Sequence, residues 1–327
     1  MNSLSSYNIP RFNNHLIPHL GHHLLGKLQP LHIQEHYAWA LKNGRADNKG
    51  NSKKKRKEED NKEIDKSLSP TTVLYHHRVL HEALKHAVEW QIIIRNPAES
   101  VRPPRKAKPQ HKTLDKPEIE VLLAEARGTE LYIPILLAIH TGMRRGEIMA
   151  LQWKDIDFRT DSIQVRQALE WAPKEKVHKL KRTKNEKNRR VDVAFTAMEE
   201  LAAWKKEQKQ LRVATEKENK KRQKEGRAVV PVEINDFVCT WSDGRVVSLD
   251  RCTKEFIRLA QRCRLGGITF HSLRHTHATL MLQLGIHPKI VSERLGHSDI
   301  KITLDTYSHV IPSMQREAAQ KWNGYFG

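Results

Sequence analysis

Cysteine is scarce in the sequence, and long apolar runs are missing. Cys239, Cys252 and Cys263 are an odd number without a CxxC pair, which argues against a disulfide framework and a cysteine-rich zinc site. No apolar stretch approaches the roughly 20 residues that a membrane span needs, and the N-terminus lacks a charged start followed by a continuous apolar run. We therefore expect a cytoplasmic protein with buried, reduced thiols and no membrane partner.

Acidic residues are also in short supply. The 327 residues include 58 Lys and Arg against 38 Asp and Glu, which leaves a net charge of +20. A surplus of that size requires an acidic partner or many counterions, and nucleic acid is the leading partner on charge alone. The length and the apolar content are sufficient for two domains, each with its own core.

Helical periodicity marks the first hundred residues. Apolar residues recur at helical spacing in residues 31–42 and 70–94, and Ser69 stands at the N-cap of the second run. Between the two runs, residues 43–66 are rich in charge and lack apolar periodicity, which is typical of a solvated loop. These patterns predict a small helical domain over residues 1–107 that contains this charged loop.

Prolines and basic residues concentrate in residues 95–112, as is typical of an extended linker, and we place the domain boundary after residue 107. The second domain, residues 108–327, is predicted to be mainly α with a small β-sheet. The expected elements are helices at 118–126, 131–139 and 144–151, strands at 162–168 and 190–194, and further helices to the end, including a charged helical insertion at 199–228 that is polar all round.

Four segments of the second domain stand out: TGMRRGEIMALQW (141–153), RTKNEKNRRVDV (182–193), HSLRHTHATLML (271–282) and LGHSDIKITLDTYSHV (295–310). Together they resemble the tyrosine recombinase (phage integrase) family. Its signature is an Arg in a TGxRxxE segment, a Lys on a hairpin, an HxxR pair, a His after LG, and a Tyr ten residues beyond that His. In this chain the corresponding residues are Arg144, Lys184, His271, Arg274, His297 and Tyr307.

The resemblance implies a helical core-binding (SAM-like) DNA-binding domain and an α+β catalytic domain that together embrace a duplex. It implies a site-specific recombinase that cleaves and rejoins strands through a 3′-phosphotyrosine intermediate and so integrates or excises a mobile element. The implied partners are double-stranded recombination sites, three further copies in a homotetramer, and possible directionality or DNA-bending accessory proteins. No metal, ATP or other cofactor is expected.

The residue types suit this chemistry. Arg144 and Arg274 keep their charge at any working pH, and each offers a planar fork of donors to the non-bridging oxygens of the scissile phosphate. Tyr307, the nucleophile, has an ordinary pKa of roughly 10 and needs nearby positive charge to favour the phenolate. His271 is expected to act as acid, base or donor, and Lys184 as the general acid that protonates the departing 5′ oxygen.

Two further expectations concern the end of the domain. His297 follows Gly296, which looks like the end of one helix, and Ser298 is placed to cap the next, so His297 is expected to be an exposed donor to phosphate. Lys181 and Lys187 are neighbours of Lys184 that could take its role.

The same residues also allow interpretations other than catalysis. Ile300, Leu304 and Tyr307 fall on one helical face, which on its own would indicate a core aromatic. Metal binding is a poor alternative for either candidate set, the carboxylates Glu147, Asp155 and Asp157 or the imidazoles His271, His275 and His277.

Two rival functions remain open at this point. The chain has no room for the separate N-terminal DNA-binding domain that many integrases carry, which suggests an N-terminally truncated DNA-binding remnant without full recombination activity. A type IB topoisomerase-like enzyme would share the chemistry, relaxing DNA without pairing two sites. All six signature positions are filled, which argues against a remnant.

Overall fold

The computed structural model describes residues 12–44, 67–105, 112–172, 175, 177–182, 188–225, 227, 236–241, 244, 246–307, 319–320 and 322–325. The chain divides into two compact units, Met1–Gln110 and His111–Gly327. The proline-rich linker predicts a boundary nearby, between residues 107 and 108. None of the described helices is long and apolar enough to cross a membrane.

The first unit is built from helices. A π-helical turn at Phe12–Leu16 leads into α1 (Ile17–Leu20), a 3-10 turn at Leu25–Lys27, α2 (Pro30–Asn43), α3 (Pro70–Glu89) and a 3-10 turn at Pro97–Ser100. Ser69 caps α3 as predicted, because its hydroxyl accepts a hydrogen bond from the backbone N–H of Thr72 at 3.2 Å. The core consists of Ile33, Tyr37, Ala40, Val73, Leu84, Ala98 and Val101.

Helix α3 ends earlier than its apolar pattern predicts. The pattern extends to residue 94, but the helix stops at Glu89, and Gln91 takes a left-handed conformation with φ 57°. The backbone N–H of Ile92 then donates to the carbonyl of Ala87 at 2.9 Å, which satisfies one of the last helical carbonyls. Ile92 and Ile94 continue the apolar periodicity but are exposed.

The second unit surrounds a larger core with helices and two small antiparallel sheets. Strands β1 (Ile156–Asp157), β2 (Ser162–Val165) and β5 (Arg189–Asp192) form one sheet in the order β1-β2-β5, and β3 (Gln167–Ala172) pairs with β4 (Val177–Arg182) in the other. Ile163 lies opposite Val191. The strand predicted over 162–168 is therefore two strands that join different sheets.

The helices of this unit are α4 (Lys116–Ala126), α5 (Tyr132–Thr141), α6 (Arg145–Met149), α7 (Phe195–Lys224), α8 (Leu249–Arg262), α9 (Phe270–Gln283), α10 (Pro288–Leu295) and α11 (Ile300–Tyr307). Gly296 ends α10 in the left-handed conformation, with φ 69°, as its place in the sequence suggests. Asp299, not Ser298, supplies the capping oxygen of α11, because its Oδ1 accepts from the N–H of Lys301 at 2.8 Å.

The long charged helix α7 differs along its length. Its first half buries Ala197, Met198, Leu201 and Gln208, so the expectation of a helix without a buried face is wrong there. Gln208 is held by the indole of Trp153, whose Nε1–H donates to it at 2.8 Å. Beyond residue 208 the described side chains of α7 are exposed or half-buried. Residues 226 and 228 of the predicted insertion lie outside the described residues.

Candidate active site

Arg144 precedes α6, and its extended backbone directs both its N–H and its side chain toward Glu147. The backbone N–H donates to Oε2 of Glu147 at 2.8 Å, and the guanidinium donates to Oε1 at 3.0 Å. A second guanidinium nitrogen donates to the carbonyl of Gly296 at 3.2 Å. The Arg144 side chain nevertheless stays 46% exposed, so its charge can be reached from solvent.

Arg274 lies one turn into α9 and is almost fully buried, with 3% of its surface exposed. Its guanidinium donates to the carbonyl of Gly142 at 2.8 Å. Burial, and then the charge of Arg144, lower the pKa of Arg274 to about 9. The group is therefore still protonated at neutral pH, although its charge is costly to maintain.

Gly142 shapes this part of the site. It ends α5 with φ 64°, and a Cβ there would lie 2.6 Å from both the imidazole of His277 and the side chain of Leu295. Only glycine combines that backbone conformation with such a close approach. The glycine of the TGxR segment therefore fixes the carbonyl that holds Arg274.

A third guanidinium, that of Arg189 on β5, completes the cluster. Arg189 is not among the site residues expected from the sequence. It contacts Glu147 with two nitrogens, at 3.0 and 2.6 Å, and its Nε donates to the carbonyl of Arg294 at 3.0 Å. Burial raises the pKa of Glu147, but the hydrogen bonds and charge of Arg189, followed by those of Arg144, outweigh it and hold this pKa below its ordinary value. Glu147 is therefore an ionised counter-ion.

A signal for Arg189 exists in the sequence. Val191 and Val193 are buried, and side chains two apart on a strand share a face, so Arg189 belongs to the inward face of β5. A buried arginine requires an anionic or carbonyl partner. The basic run that surrounds Arg189 hides this alternation.

His297 sits between α10 and α11, half-buried rather than exposed as predicted. Its Nδ1 lies 2.8 Å from the hydroxyl of Thr303. Burial and then the charges of Arg274, Arg144 and Arg189 lower the pKa of His297 to about 4. The imidazole is thus neutral at physiological pH and stands close to all three guanidinium groups.

Tyr307, the expected nucleophile, is buried. Its side chain is 2% exposed and packs with Ala278, Leu282, Val291 and Leu295, so it is a buried aromatic, the interpretation that its helical face alone would indicate. Ile300 and Leu304 on that face are exposed, whereas Thr303 is buried with Tyr307. Burial raises the pKa of Tyr307 to about 12, and the opposing charge of Arg274 is too weak to reverse this. The expected phenolate character is absent in this conformation.

The phenol of Tyr307 has a defined partner on α9. Its oxygen lies 2.9 Å from Nδ1 of His275, and the ring of His271 stands perpendicular to that of His275, with the centroids 4.8 Å apart. His271 itself is exposed and acts electrostatically on His297. The structure thus assembles Arg144, His271, Arg274, His297 and Tyr307, whereas Lys184 lies outside the described residues, as does Lys187.

Several of the candidate metal ligands form ion pairs or hydrogen bonds with other groups of the protein. Glu147 pairs with two arginines, and Asp155 lies 3.4 Å from Arg166. His277 contacts the carbonyl of Ile139 at 2.7 Å. Within the described ranges, no three His, Cys, Asp or Glu side chains are grouped so that they could hold a metal ion.

Comparison with known proteins places this geometry in a family. Residues 112–314 match the model of the phage integrase family. A tyrosine recombinase XerC-like protein of Caldanaerobacter subterraneus is 27% identical over 282 residues, which cover 81% of this chain and 69% of that protein. The ICEBs1 integrase of Bacillus subtilis is 29% identical over 239 residues, 72% of this chain and 60% of the integrase, so the match leaves a substantial part of both relatives uncovered.

Solved structures share the fold. The Tn1549 transposon integrase in complex with transposon right end DNA superposes with a TM-score of 0.69 at 19% identity, covering 97% of this chain and 95% of that one. A lambda integrase dimer bound to a core site gives a TM-score of 0.59 at 14% identity, with 94% and 90% covered. The predicted fold class, mainly α with a small sheet, is confirmed.

Proposed function

Because this chain belongs to the phage integrase family of tyrosine recombinases, enzymes that cleave and religate DNA, we propose that it is a site-specific recombinase with Tyr307 as its nucleophile. It would act on double-stranded recombination sites, as a homotetramer in the cytoplasm, and integrate or excise a mobile element. One observation carries the proposal: helices α9 to α11 and the start of α6 bring the guanidinium groups of two arginines, Arg144 and Arg274, near His271, His297 and Tyr307.

The guanidinium groups explain how a phosphodiester is activated. The guanidinium groups of Arg144 and Arg274 would bind the non-bridging oxygens of the scissile phosphate, where negative charge grows in the transition state. His297 lies within the influence of both charges and is neutral, so it would add a hydrogen bond without competing for the phosphate. Cationic side chains thus supply the charge stabilisation.

The bond changes then balance without an external energy source. The phenolic oxygen of Tyr307 attacks phosphorus and loses its proton to a base, the role proposed for His271, while the bond to the 5′ oxygen breaks and Lys184 protonates that oxygen. A 5′ hydroxyl of the partner strand reverses these steps and releases Tyr307. Each new bond replaces one of similar energy, so rejoining requires no ATP.

Tyr307 must become accessible before it can attack. Its side chain is 2% exposed and its oxygen is engaged with His275, so a bound phosphate cannot meet the phenol in this conformation. We infer that assembly on DNA shifts α11 and exposes the phenol. Burial also keeps the pKa of Tyr307 at about 12, which keeps the nucleophile inactive until then.

Covalent trapping tests the proposal. Supercoiled DNA carrying the flanks of the gene for this protein is incubated with the wild-type protein, with Tyr307→Phe and with Tyr325→Phe, which alters an exposed tyrosine outside the site, and is then quenched in detergent. We expect an adduct on a 3′ phosphate with the wild-type protein and Tyr325→Phe, and none with Tyr307→Phe. DNA binding without an adduct on every such substrate would indicate a binding remnant, and relaxation by a monomer on DNA of any sequence would indicate a topoisomerase.

A further inference from the structure

We propose that Arg189 is a positioning residue: it neutralises Glu147 and thereby keeps Arg144 available for the scissile phosphate. The inference rests on the proposed function, since it assigns a task within the same site. It concerns a residue outside the six signature positions, on strand β5.

Arg189 makes more hydrogen bonds to Glu147 than the guanidinium of Arg144 does. Arg189 places two guanidinium nitrogens on the two carboxylate oxygens, at 3.0 and 2.6 Å. Arg144 places one guanidinium nitrogen on Oε1, at 3.0 Å, and a second on a backbone carbonyl. The Arg189 side chain is 12% exposed and that of Arg144 is 46% exposed. Arg189 is therefore the main counter-ion, and Arg144 keeps donors that a phosphate can reach.

Loss of Arg189 would draw Arg144 away from the phosphate. Glu147 is 3% exposed, and a buried carboxylate that loses its main partner is costly unless another cation replaces it. Arg144 is the cation at hand, and a bidentate contact with Glu147 would withdraw its donors from the phosphate. The three groups together carry one net positive charge, whereas Arg144 and Glu147 alone carry none, so the attraction for a phosphate would also fall.

Arg189 also fixes the neighbouring segments. Its Nε donates to the carbonyl of Arg294 in the last turn of α10, and a Cβ on Gly296 would lie 2.8 Å from its guanidinium. The same side chain thus joins β5, the start of α6 and the helix end that precedes His297. A lysine could supply the charge there but not the planar fork that makes three bonds at once.

Three variants separate positioning from a general loss of structure: Arg189→Met, Glu147→Gln and the double variant. We expect Arg189→Met to lower the rate of adduct formation by about 100-fold, within the range for losing one transition-state donor. The double variant should regain about 10-fold over Arg189→Met, because the neutral amide introduced by Glu147→Gln no longer captures Arg144. If the two changes merely damaged the fold, the double variant would be as slow as Arg189→Met or slower, and the inference would be overturned.

Arg190→Met is the matched control. Arg190 is the next residue on β5, points to the other face, is half-exposed and pairs with Asp192 at 2.8 Å. We expect its adduct rate to stay within about 2-fold of wild type, as is usual for surface changes away from special features. A loss equal to that of Arg189→Met would show that any basic residue on this strand matters, which contradicts a specific task for Arg189.

A second measurement needs no DNA cleavage. Titration with inorganic phosphate, followed by the side-chain NMR signals of Arg144, should show binding to the wild-type protein and to the double variant, and roughly 10-fold weaker binding to Arg189→Met, a factor that corresponds to a single charge-assisted hydrogen bond. Equal phosphate affinity in all three would overturn the inference even if the wild-type protein forms adducts. Absence of any adduct from the wild-type protein, together with the expected phosphate affinities, would overturn the proposed function and leave the role of Arg189 intact.

Discussion

Two clusters of ionisable side chains, one in each unit, are stabilised by opposite means. The guanidinium groups of Arg144, Arg189 and Arg274 donate their hydrogen bonds to a carboxylate and to backbone carbonyls. In the first unit His36 and His76 are buried with ring nitrogens 3.4 Å apart. Burial, followed by the neighbouring imidazoles of His76, His19 and His15, lowers the pKa of His36 to about 4.

The two kinds of cluster differ in what they can do. A charged cluster inside a protein must be built around anionic or carbonyl partners, and it then offers a constant positive field to a phosphate at any physiological pH. A cluster of imidazoles packs as neutral rings and needs no carboxylate, but it makes the fold sensitive to acid. Variants that alter one cluster at a time separate the two behaviours.

The largest expected effect is on catalysis. Replacing Arg274 with Lys keeps one positive charge but removes the fork that holds the Gly142 carbonyl while donating to a phosphate. We expect the rate of adduct formation to fall by about 100- to 1,000-fold. Arg258→Lys, on an exposed arginine paired with Glu255, is the matched control and should react at the wild-type rate. An adduct rate for Arg274→Lys within about 3-fold of wild type, well short of the loss of one transition-state donor, would show that charge alone suffices.

The sequence predicted the charged cluster better than the imidazole cluster, for a physical reason. Arg144 and Arg274 lie in segments whose residue order reflects chemistry, so the resemblance identified them. Arg189 escaped because alternation with Val191 and Val193 was masked by a run of basic residues. The contact between His36 on α2 and His76 on α3 joins residues 40 positions apart, and no local sequence pattern indicates a contact over such a separation.

Local signals also decided which helix ends were predictable. Ser69 and Gly296 act through their own backbone neighbourhood and were placed correctly. The end of α3 and the buried face of α11 depend on packing. Apolar periodicity continues through Ile94 although the helix has already ended. On α11, Tyr307 packs against α10 and is buried, whereas Leu304 is exposed. Burial of the nucleophile, which reverses the expected shift of its pKa, has the same origin.

The second effect concerns the stability of the first unit at acidic pH. A His whose folded pKa is about 4 against 6.5 when unfolded takes up protons more readily in the unfolded state between these values, so stability is complete above pH 6.5 and is lost as the pH falls toward 4. We expect His36 to cost the first unit up to about 3 kcal/mol over this range. Hydrogen exchange of the α2 and α3 amides at pH 7, 6 and 5 measures it.

His36→Gln is the control for this acid effect. Glutamine keeps a polar group in the buried position but has no proton to gain, so most of the pH dependence of α2 and α3 should disappear while exchange in the second unit is unchanged. Equal acid sensitivity in this variant and the wild-type protein would show that the imidazole cluster does not set the stability of the first unit.

The third effect concerns the packing around two glycines of the second unit. Gly142 and Gly128 both have positive φ, 64° and 79°, but a Cβ on Gly142 would collide with His277 and Leu295, whereas one on Gly128 would meet open space. We expect Gly128→Ala to lower the free energy of unfolding by about 1 kcal/mol from backbone strain and Gly142→Ala by about 2–3 kcal/mol, since overpacking adds to the strain. Urea unfolding measures both. Equal losses would show that the carbonyl holding Arg274 is not fixed by close packing.

The smallest effect concerns the contact between the imidazole of His275 and the phenol of Tyr307. The phenol of Tyr307 is held 2.9 Å from Nδ1 of His275, and a net hydrogen bond of about 1 kcal/mol stabilises the buried position by roughly 5-fold. His275→Ala removes this bond and admits water, so the pKa of Tyr307 should fall from about 12, and adduct formation at saturating DNA should rise by up to about 5-fold. Absorbance titration at 295 nm, with Tyr307→Phe as the blank, measures the pKa. An adduct rate more than 10-fold slower would instead mean that His275 takes part in the reaction, and the contrast between charged and neutral clusters would not extend to the nucleophile.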